Sequence, residues 1–269
     1  MSFRTPDEPG SERTERFRIV ADLGNSRLKW GRLDASGNIT EVVSLPPDDS
    51  ARWEFVWRSW NPSGAVPSSW RIATVNPPLA ARLSTFLTKN AVNEIAWFRT
   101  VRDVPIASLI KYRKTAGADR AIAVLGAKAT RPVGQPGLVV LCGSAITVER
   151  VRPEGTWQGG AISPGLFLSA KALFTQTAQL PLISPIPEPP AWGDSTVPAL
   201  QAGVYWGVVG AIRELLTRQS EGLLPTPWVV FSGGDAEALC KSVGWEGAAV
   251  IPDLVLRGLA YLSHQHHAL

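Results

Sequence analysis

The sequence carries the same strand-turn-strand pattern twice, and this repeat is the strongest constraint on its fold. The segment VADLGNSRL (residues 20–28) aligns with VVLCGSAIT (residues 139–147). Each has an apolar strand, a turn with glycine and serine, and a second strand. The alignment places Leu141 where the first copy has Asp22. We therefore predict that a half-domain has been duplicated.

The composition allows two half-domains and indicates neither a membrane nor a nucleic-acid partner. The 269 residues, 45% hydrophobic and 19% charged, can bury a sizeable core. No apolar run approaches the roughly 18 residues that a membrane span needs, so we expect a soluble protein. The net charge of +4 is spread along the chain without a block of lysine or arginine. We therefore expect no nucleic-acid partner.

The two cysteines bear on the compartment. Cys142 and Cys240 lie far apart and form no CxxC motif, which argues against a disulfide framework or a zinc site. The amino terminus mixes charges of both signs with proline and glycine, and lacks the apolar stretch of a secretory signal. Both observations favour the reducing cytoplasm.

Proline and glycine in RPVGQPG, residues 131–137, mark a boundary in the chain. We predict a flexible tail over 1–16, a first domain over 17–133, a second domain over 134–263 and a tail over 264–269. Predicted strands cover 17–22, 27–33, 39–45, 70–75, 94–98, 138–142, 145–150, 156–162 and 228–231. Predicted helices cover 53–60, 77–87, 117–129, 164–179, 197–218 and 253–263, with another after 235. The proline-rich segment 181–198 predicts a surface loop or lid.

An acidic residue, Asp22, ends the first apolar strand directly before Gly24, Asn25 and Ser26. Because burial of an unpaired carboxylate is costly, this position favours a turn that is open to a cation, such as a metal-bound phosphate. Backbone N–H groups and the serine hydroxyl would face the phosphate oxygens, and Mg²⁺ needs only one or two protein carboxylates. The stretch also fits a β-hairpin in which Asp22 and Asn25 bond only the local backbone.

Two further stretches predict ligand contacts, each with a structural alternative. Gly233 and Gly234, in the turn SGGD, let the backbone lie flat against an adenine or ribose, or simply supply positive φ. Asp119 and Arg120 begin an apolar helix, whose dipole stabilises an anionic aspartate. Alternatively, Asp119 accepts a proton from a substrate hydroxyl while Arg120 holds a carboxylate or phosphate.

Nine segments between about residues 17 and 262 carry a family resemblance, in chain order. They are DLGNSRLKW, ATVNPP, GADR, GSAITV, GTWQGGAISPGL, ALFTQTAQLP, STVPALQAGV, FSGGDA and DLVLRGL. They resemble the type III pantothenate kinases of the actin-like, ribonuclease-H-like ATPase superfamily. The resemblance implies an α/β fold of two duplicated ribonuclease-H-like domains, each a mixed sheet flanked by helices. It further implies a cytoplasmic homodimer that uses ATP with Mg²⁺ to convert pantothenate to 4'-phosphopantothenate, the first step of coenzyme A biosynthesis.

The resemblance also implies roles for single residues. Asp119 matches the catalytic base, and Asp22 would hold the Mg²⁺ bound to ATP. The implied ATP-binding residues are Asp22, Leu23, Gly24, Asn25, Ser26, Arg27, Leu28, Lys29, Ser144, Gly233 and Gly234. The implied pantothenate-binding residues are Tyr112, Gly117, Ala118, Asp119, Arg120 and Thr196. The helices on either side of the proline-rich loop are the implied contact surface of the homodimer.

The second turn departs from the family pattern, which usually reads Asp-x-Gly-Thr with an acid that helps to bind a monovalent cation, K⁺ or NH₄⁺. This chain has Leu141, Cys142, Gly143 and Ser144 there. Ser144 keeps a hydroxyl, but leucine cannot ligate a cation, and Cys142 points to the opposite face of a regular strand. Either the enzyme works without the monovalent cation, or the chain is a catalytically impaired, nucleotide-binding regulatory protein. A kinase for another small hydroxy acid is a further alternative.

Overall fold

The computed structural model describes residues 17–62 and 68–265, with the backbone alone for residues 264 and 265. The predicted tail at 1–16 lies outside the described residues, as do residues 266–269. The described part contains two five-stranded sheets and seven α-helices. None of these helices is long and apolar enough to cross a membrane.

Five strands form the first sheet: β1 (Phe17–Leu23), β2 (Leu28–Leu33), β3 (Ile39–Leu45), β4 (Ser68–Thr74) and β5 (Glu94–Phe98). Their order is β3-β2-β1-β4-β5. The first three strands form the predicted antiparallel meander, whereas β4 and β5 run parallel to β1. The sheet is therefore mixed.

The second sheet repeats this topology with β6 (Gly137–Cys142), β7 (Ala145–Val151), β8 (Trp157–Pro164), β9 (Trp228–Ser232) and β10 (Ala249–Val250). Their order is β10-β9-β6-β7-β8, the same arrangement read from the other edge. β6 to β8 are antiparallel, and β9 and β10 run parallel to β6. The predicted duplication is confirmed.

The helices are α1 (Ser50–Trp60), α2 (Pro77–Lys89), α3 (Ala118–Lys128), α4 (Leu166–Gln176), α5 (Thr196–Ser220), α6 (Ala236–Val243) and α7 (Leu254–Gln265). The predicted helices are all present, with ends that shift by a few residues. The short strand β10 and a 3-10 turn, Val101–Asp103, were not predicted because two or three residues carry no periodic signal. Residues 181–195 of the predicted proline-rich loop lie between α4 and α5 with neither helix nor strand, whereas residues 196–198 form the start of α5.

An aromatic cluster fills the core between the first sheet and helices α1 and α2. Trp30 on β2 contacts Trp70 on β4 edge-to-face, with ring centroids 5.0 Å apart. Its ring also lies 6.5 Å from Trp53 on α1 and 5.9 Å from Phe86 on α2. Because each buried aromatic ring removes a large apolar area from water, the cluster holds both helices against one face of the sheet.

Helices α3 and α7 lie against the opposite face and share one core with strands of both sheets. They approach closely at two glycines. A Cβ on Gly126 would lie 2.3 Å from the carbonyl oxygen of Leu254, and one on Gly258 would lie 2.0 Å from that of Ile122. The carboxy-terminal helix thus packs on the first sheet, so the two halves interlock. The domain boundary at 133/134 stays a prediction.

Replacing Gly258 by alanine should lower the free energy of unfolding by about 1–3 kcal/mol, because the methyl group would overlap the Ile122 carbonyl oxygen. Urea denaturation followed by circular dichroism measures the change. Gly210→Ala is the matched control, since Gly210 is exposed on α5 with open space at its Cβ position. It should raise stability by about 0.5–1 kcal/mol. Equal effects of the two substitutions would refute the close helix contact.

Candidate active site

A cavity of about 830 Å³ lies between the two halves, where β1 and β6 end. Its wall consists of the turns after β1, β6 and β9 and the first residues of α3, α4 and α7. Most of the predicted site residues meet there. Those on the wall are Asp22, Gly24, Asn25, Ser26, Arg27, Lys29, Asp119, Leu141, Ser144, Gly233 and Gly234.

The first turn is a tight hairpin between β1 and β2. The N–H of Gly24 donates to the carbonyl oxygen of Arg27 at 3.1 Å, and Asp22 pairs across the strands with Lys29. Asn25, Ser26 and Arg27 are exposed. The hairpin alternative is therefore correct for the backbone, but Asp22 is open to the cavity rather than bonded to the turn.

The first and second turns touch each other through their serines. The Oγ atoms of Ser26 and Ser144 are 2.7 Å apart, a hydrogen bond between residues from the two halves. The backbone of the second turn is closed by the N–H of Gly143, which donates to the carbonyl oxygen of Ala145 at 3.2 Å. Two hydroxyls from the two halves thus meet at the cavity wall.

The third turn, after β9, packs directly against the end of β6. Gly233 has a φ of 116°, and a Cβ there would lie 2.2 Å from the carbonyl oxygen of Cys142. Only glycine fits this approach. Burial raises the pKa of Asp235 in the same turn, while the charge of Arg27 from the first turn lowers it. The first and third turns therefore interact electrostatically.

Asp22 is held in an environment that disfavours its charge. Burial raises the pKa of Asp22 from 3.8 to about 7, and the charges of Asp119 and Asp253 act in the same direction, whereas Lys29 opposes them. Asp22 therefore exchanges its proton near neutral pH. A cation bound in the cavity would favour the ionised carboxylate, so the site suits a metal-bound phosphate.

Asp119 lies in the first turn of α3, with its side chain on the cavity wall. Its Oδ1 accepts a hydrogen bond from the N–H of Arg120 at 2.9 Å. Burial raises the pKa of Asp119, and the N–H and charge of Arg120 oppose that increase. A carboxylate with a raised pKa is a better proton acceptor than an exposed one.

Arg120 is not part of the cavity wall in this structure and is paired with a buried acid. Its Nε and Nη2 donate to the two carboxylate oxygens of Glu149 at 2.5 and 2.7 Å, and its guanidinium lies 5.4 Å from the centre of the Trp157 ring. Glu149 is fully buried and also accepts a hydrogen bond from Trp157 Nε1 at 3.0 Å. The substrate role expected for Arg120 stays a prediction.

The remaining predicted site residues also lie off the cavity wall. Leu23 and Leu28 are fully buried in the core of the first half, because alternate residues of a strand face opposite sides. Tyr112 and Thr196 are exposed, and Ala118 is buried in the core around α3. Gly117 precedes α3 and lies close to the Asp119 carboxylate. The residues off the wall are Leu23, Leu28, Tyr112, Gly117, Ala118, Arg120 and Thr196.

Leu141 faces the cavity, as the sequence alignment predicts. It pairs across the strands with Thr147, whose Oγ1 is buried without a hydrogen-bond partner among the described residues. Cys142 is fully buried on the other face, and burial raises the pKa of its thiol. Leu141 therefore presents an apolar side chain to the cavity at the position where the family pattern has an acid.

The wall residues that were missed from the sequence include Phe167, Lys171 and Asp253. Phe167 and Lys171 lie on α4, whose apolar residues read as ordinary core positions. Asp253 lies directly before α7, and the only signal was an acid at the start of the segment DLVLRGL. Its Oδ1 accepts a hydrogen bond from Lys29 Nζ at 2.6 Å.

Within the described ranges, no three histidine, cysteine, aspartate or glutamate side chains are grouped to hold a metal ion by themselves. Mg²⁺ bound to a nucleotide does not need such a group, because phosphate oxygens and water supply most of its ligands. Asp22 fits as a single protein ligand, since its carboxylate is desolvated and forms no ion pair among the described residues.

The comparisons with known proteins point to one family. A family profile described as type III pantothenate kinase matches residues 18–218. The type III pantothenate kinase of Alkalilimnicola ehrlichii is 32% identical over 259 residues, which cover 92% of this chain and 98% of that protein. The protein of the same name from Porphyromonas gingivalis is 42% identical over 163 residues. That match covers 58% of this chain and 65% of the relative, slightly under two thirds of its length.

A solved structure matches both halves. The crystal structure of a conserved Baf family protein from Campylobacter jejuni has a TM-score of 0.60 at 20% identity, covering 93% of this chain and 100% of that one. At this identity, the likeness shows the fold alone. Together with the repeated strand order, it confirms the predicted fold of duplicated domains with mixed sheets and flanking helices.

Asp22→Asn should stabilise the free protein in neutral and alkaline solution. Because the folded-state pKa of about 7 exceeds the ordinary 3.8, ionisation of Asp22 lowers stability as the pH rises from about 4 to above 7. The substitution should therefore raise the free energy of unfolding at pH 8 by up to about 4 kcal/mol and change it little at pH 4. Guanidinium denaturation without nucleotide measures both values. A less stable variant at pH 8 would contradict the raised pKa, and exposed Asp48→Asn serves as the control.

Proposed function

Because the chain belongs to the type III pantothenate kinase family, we propose that it transfers the γ-phosphoryl group of ATP to the primary hydroxyl of pantothenate. The product is 4'-phosphopantothenate, and the reaction is the first step of coenzyme A biosynthesis. One observation carries the proposal. Asp22 and Asp119 face one cavity between the halves, and neither forms an ion pair with a described residue.

The triphosphate would lie across the first two turns. The hydroxyls of Ser26 and Ser144, now bonded to each other, would turn toward phosphate oxygens, and the N–H groups around Gly24 and Asn25 would add donors. The nucleoside would lie against the third turn, where glycine lets the backbone approach a flat ligand. Binding of ATP therefore breaks the serine contact between the halves.

Asp22 would hold the Mg²⁺ that is bound to the phosphates. The metal neutralises charge on the transferring phosphoryl group. The chain supplies a carboxylate whose surroundings disfavour its charge unless a cation is present. Asp22 would therefore fix the position of the metal-bound phosphate relative to the first turn.

Asp119 would accept the proton of the pantothenate hydroxyl. Phosphoryl transfer passes through a loose transition state, so positioning and charge neutralisation contribute more than base strength. The side chain is fixed by the start of α3 and by the Arg120 N–H, which directs one oxygen and leaves the other for the substrate. Gly117, Tyr112 and Thr196 would surround the substrate, by family resemblance, whereas Ala118 is buried in the core and would support α3.

Arg120 would contact pantothenate through the part of its guanidinium that Glu149 does not use. The bonds to Glu149 involve Nε and Nη2, so Nη1 keeps its donors. The buried pair also fixes the guanidinium, which reduces the entropy lost when a substrate carboxylate or carbonyl binds.

Asp119→Asn should lower kcat by roughly 10²–10⁴-fold, because the amide cannot accept the hydroxyl proton. Affinity for ATP should change little, since Asp119 faces the acceptor rather than the nucleoside. A coupled assay of ADP release with pantothenate and ATP measures kcat, and calorimetry measures the affinity for ATP. Asp48→Asn, on an exposed loop, is the control. Turnover near the wild-type rate in Asp119→Asn would rule out the assigned role.

Turnover should not depend on a monovalent cation. The family's second-turn acid is replaced by Leu141, which gives the cavity wall an apolar surface at that point. We expect equal rates in K⁺, NH₄⁺ or Na⁺ salts at constant ionic strength. Leu141→Asp should create a preference for K⁺ over Na⁺. Strong activation of the wild-type protein by K⁺ would contradict this proposal.

The alternatives have less support. A catalytically impaired regulatory protein would have no need for both acids, yet Asp22 and Asp119 both face the cavity. A kinase for another small hydroxy acid remains compatible with the phosphate turns, and the same coupled assay with other hydroxy acids distinguishes it. We place the protein in the cytoplasm, where its two free cysteines would stay reduced.

The protein would act as a homodimer through α4 and its surroundings. Exposed apolar side chains cluster on β8 and α4, and patches of this kind mark contact surfaces. They are Ile162, Phe167, Leu168, Leu173 and Phe174.

Phe174→Glu should convert the dimer to a monomer in sedimentation equilibrium, because a buried glutamate would lack a partner at the interface. Phe55→Glu changes a more exposed phenylalanine on α1 and should leave the dimer intact. A monomeric wild-type protein, or dissociation by both substitutions, would overturn the assigned surface.

A further inference from the structure

An ion pair at the cavity wall joins strand β2 of the first half to the residue that precedes α7. Lys29 Nζ on β2 lies 2.6 Å from Asp253 Oδ1, directly before α7. The side chains are only 26% and 20% exposed, so the pair is largely withdrawn from water. Both residues line the cavity. The contact therefore fixes a cation beside the place where the phosphates would lie.

The backbone of Asp253 is strained at this point. Its φ is 55°, in the left-handed region that favours glycine, and strained residues of this kind concentrate at functional sites. Its carbonyl oxygen accepts the N–H of Arg257 at 2.9 Å, a bond that glycine would make equally well. The backbone conformation and the bond to Arg257 are compatible with glycine, and the carboxylate of Asp253 instead bonds Lys29.

Asp22 is a second acidic neighbour of Lys29, because the charge of Lys29 lowers the pKa of Asp22. The two residues are directly opposite each other in the antiparallel pair of β1 and β2, where side chains on the same face are in contact range. The ammonium nevertheless bonds Asp253. Of these two acids, Asp253 is therefore the one that forms the ion pair with Lys29.

We propose that Asp253 is a positioning residue of the nucleotide site, which holds the Lys29 ammonium away from Asp22. Asp22 is thereby left for the metal-bound phosphate, and Lys29 faces the triphosphate. The inference rests on the proposed function in that it takes a nucleoside triphosphate as the ligand of this cavity. It adds a residue from the carboxy-terminal end of the chain to the site.

Two simpler roles for Asp253 predict different binding results. If Asp253 were merely a negative charge near an anionic ligand, its removal would strengthen nucleotide binding. If it only stabilised the start of α7, its removal would lower stability and affect all ligands alike. Positioning predicts a selective loss of triphosphate binding, with adenosine binding retained.

The experiment measures binding of a non-hydrolysable ATP analogue with Mg²⁺, and of adenosine, by calorimetry. Asp253→Asn keeps the shape of the side chain and tolerates the left-handed backbone. Asp253→Gly removes the side chain and relieves the strain of the left-handed backbone, which offsets part of the stability lost with the ion pair. Both should bind the Mg²⁺-bound analogue at least about tenfold more weakly and adenosine with unchanged affinity. Asp48→Asn, far from the cavity wall, is the matched control.

A double-variant cycle tests the role of Lys29. Lys29→Met alone should weaken binding of the analogue, and Lys29→Met with Asp253→Asn should bind no more weakly than Lys29→Met, because Asp253 acts only through Lys29. Additive losses, tighter binding by Asp253→Asn, or equal loss of adenosine binding would each overturn the inference.

The outcome is separable from that of the proposed function. If the wild-type protein binds the analogue but does not phosphorylate pantothenate, the proposed function fails while the binding cycle still tests Asp253. If pantothenate is phosphorylated and the cycle is additive, the positioning role alone fails. In an active enzyme, Asp253→Asn should raise the KM for ATP by at least about tenfold, with little change in the KM for pantothenate.

Discussion

The close contact between α3 and α7 is the constraint on which the site depends. The two glycines, Gly126 and Gly258, let each helix touch the backbone of the other, and packed interiors deform little. Because both helices lie between the sheets, their first residues reach the cavity from inside the molecule. Asp119 and Asp253 are thereby fixed relative to Asp22, although the three acids belong to separate parts of the chain.

The charges around the cavity are arranged in two ways. Lys29 and Arg120 are each paired with an acid, Asp253 and Glu149 respectively, so their positions are fixed. Asp22 and Asp119 lack such a partner, and burial raises the pKa of both. These two cationic side chains are thus held by ion pairs, whereas the two carboxylates stay available to bind a ligand. Unpaired buried carboxylates lower the stability of the free protein, and a bound cation or substrate would stabilise them. Ionisable groups with such shifted pKa values are characteristic of functional sites.

The repeat in the sequence predicted the sheets and the site turns, because periodicity and turn residues are local signals. Asp22 and Asp119 were predicted for the same reason. Asp253 was not, since its contact with Lys29 spans 224 positions and depends on how α7 packs. The partner of Arg120 was missed for the same cause, as Glu149 looks like an exposed strand residue. Leu23 and Leu28 were included because a whole stretch was assigned, although strand alternation places their side chains in the core.

The proposed reaction requires a nucleotide that bridges the halves while Asp119 faces the acceptor alcohol. A crystal structure with Mg²⁺, a non-hydrolysable ATP analogue and pantothenate would show both. We expect the γ-phosphate between Ser26 and Ser144, the metal beside Asp22, and the pantothenate hydroxyl within hydrogen-bond distance of Asp119 Oδ2. A triphosphate outside the cleft, or a hydroxyl far from Asp119, would contradict it.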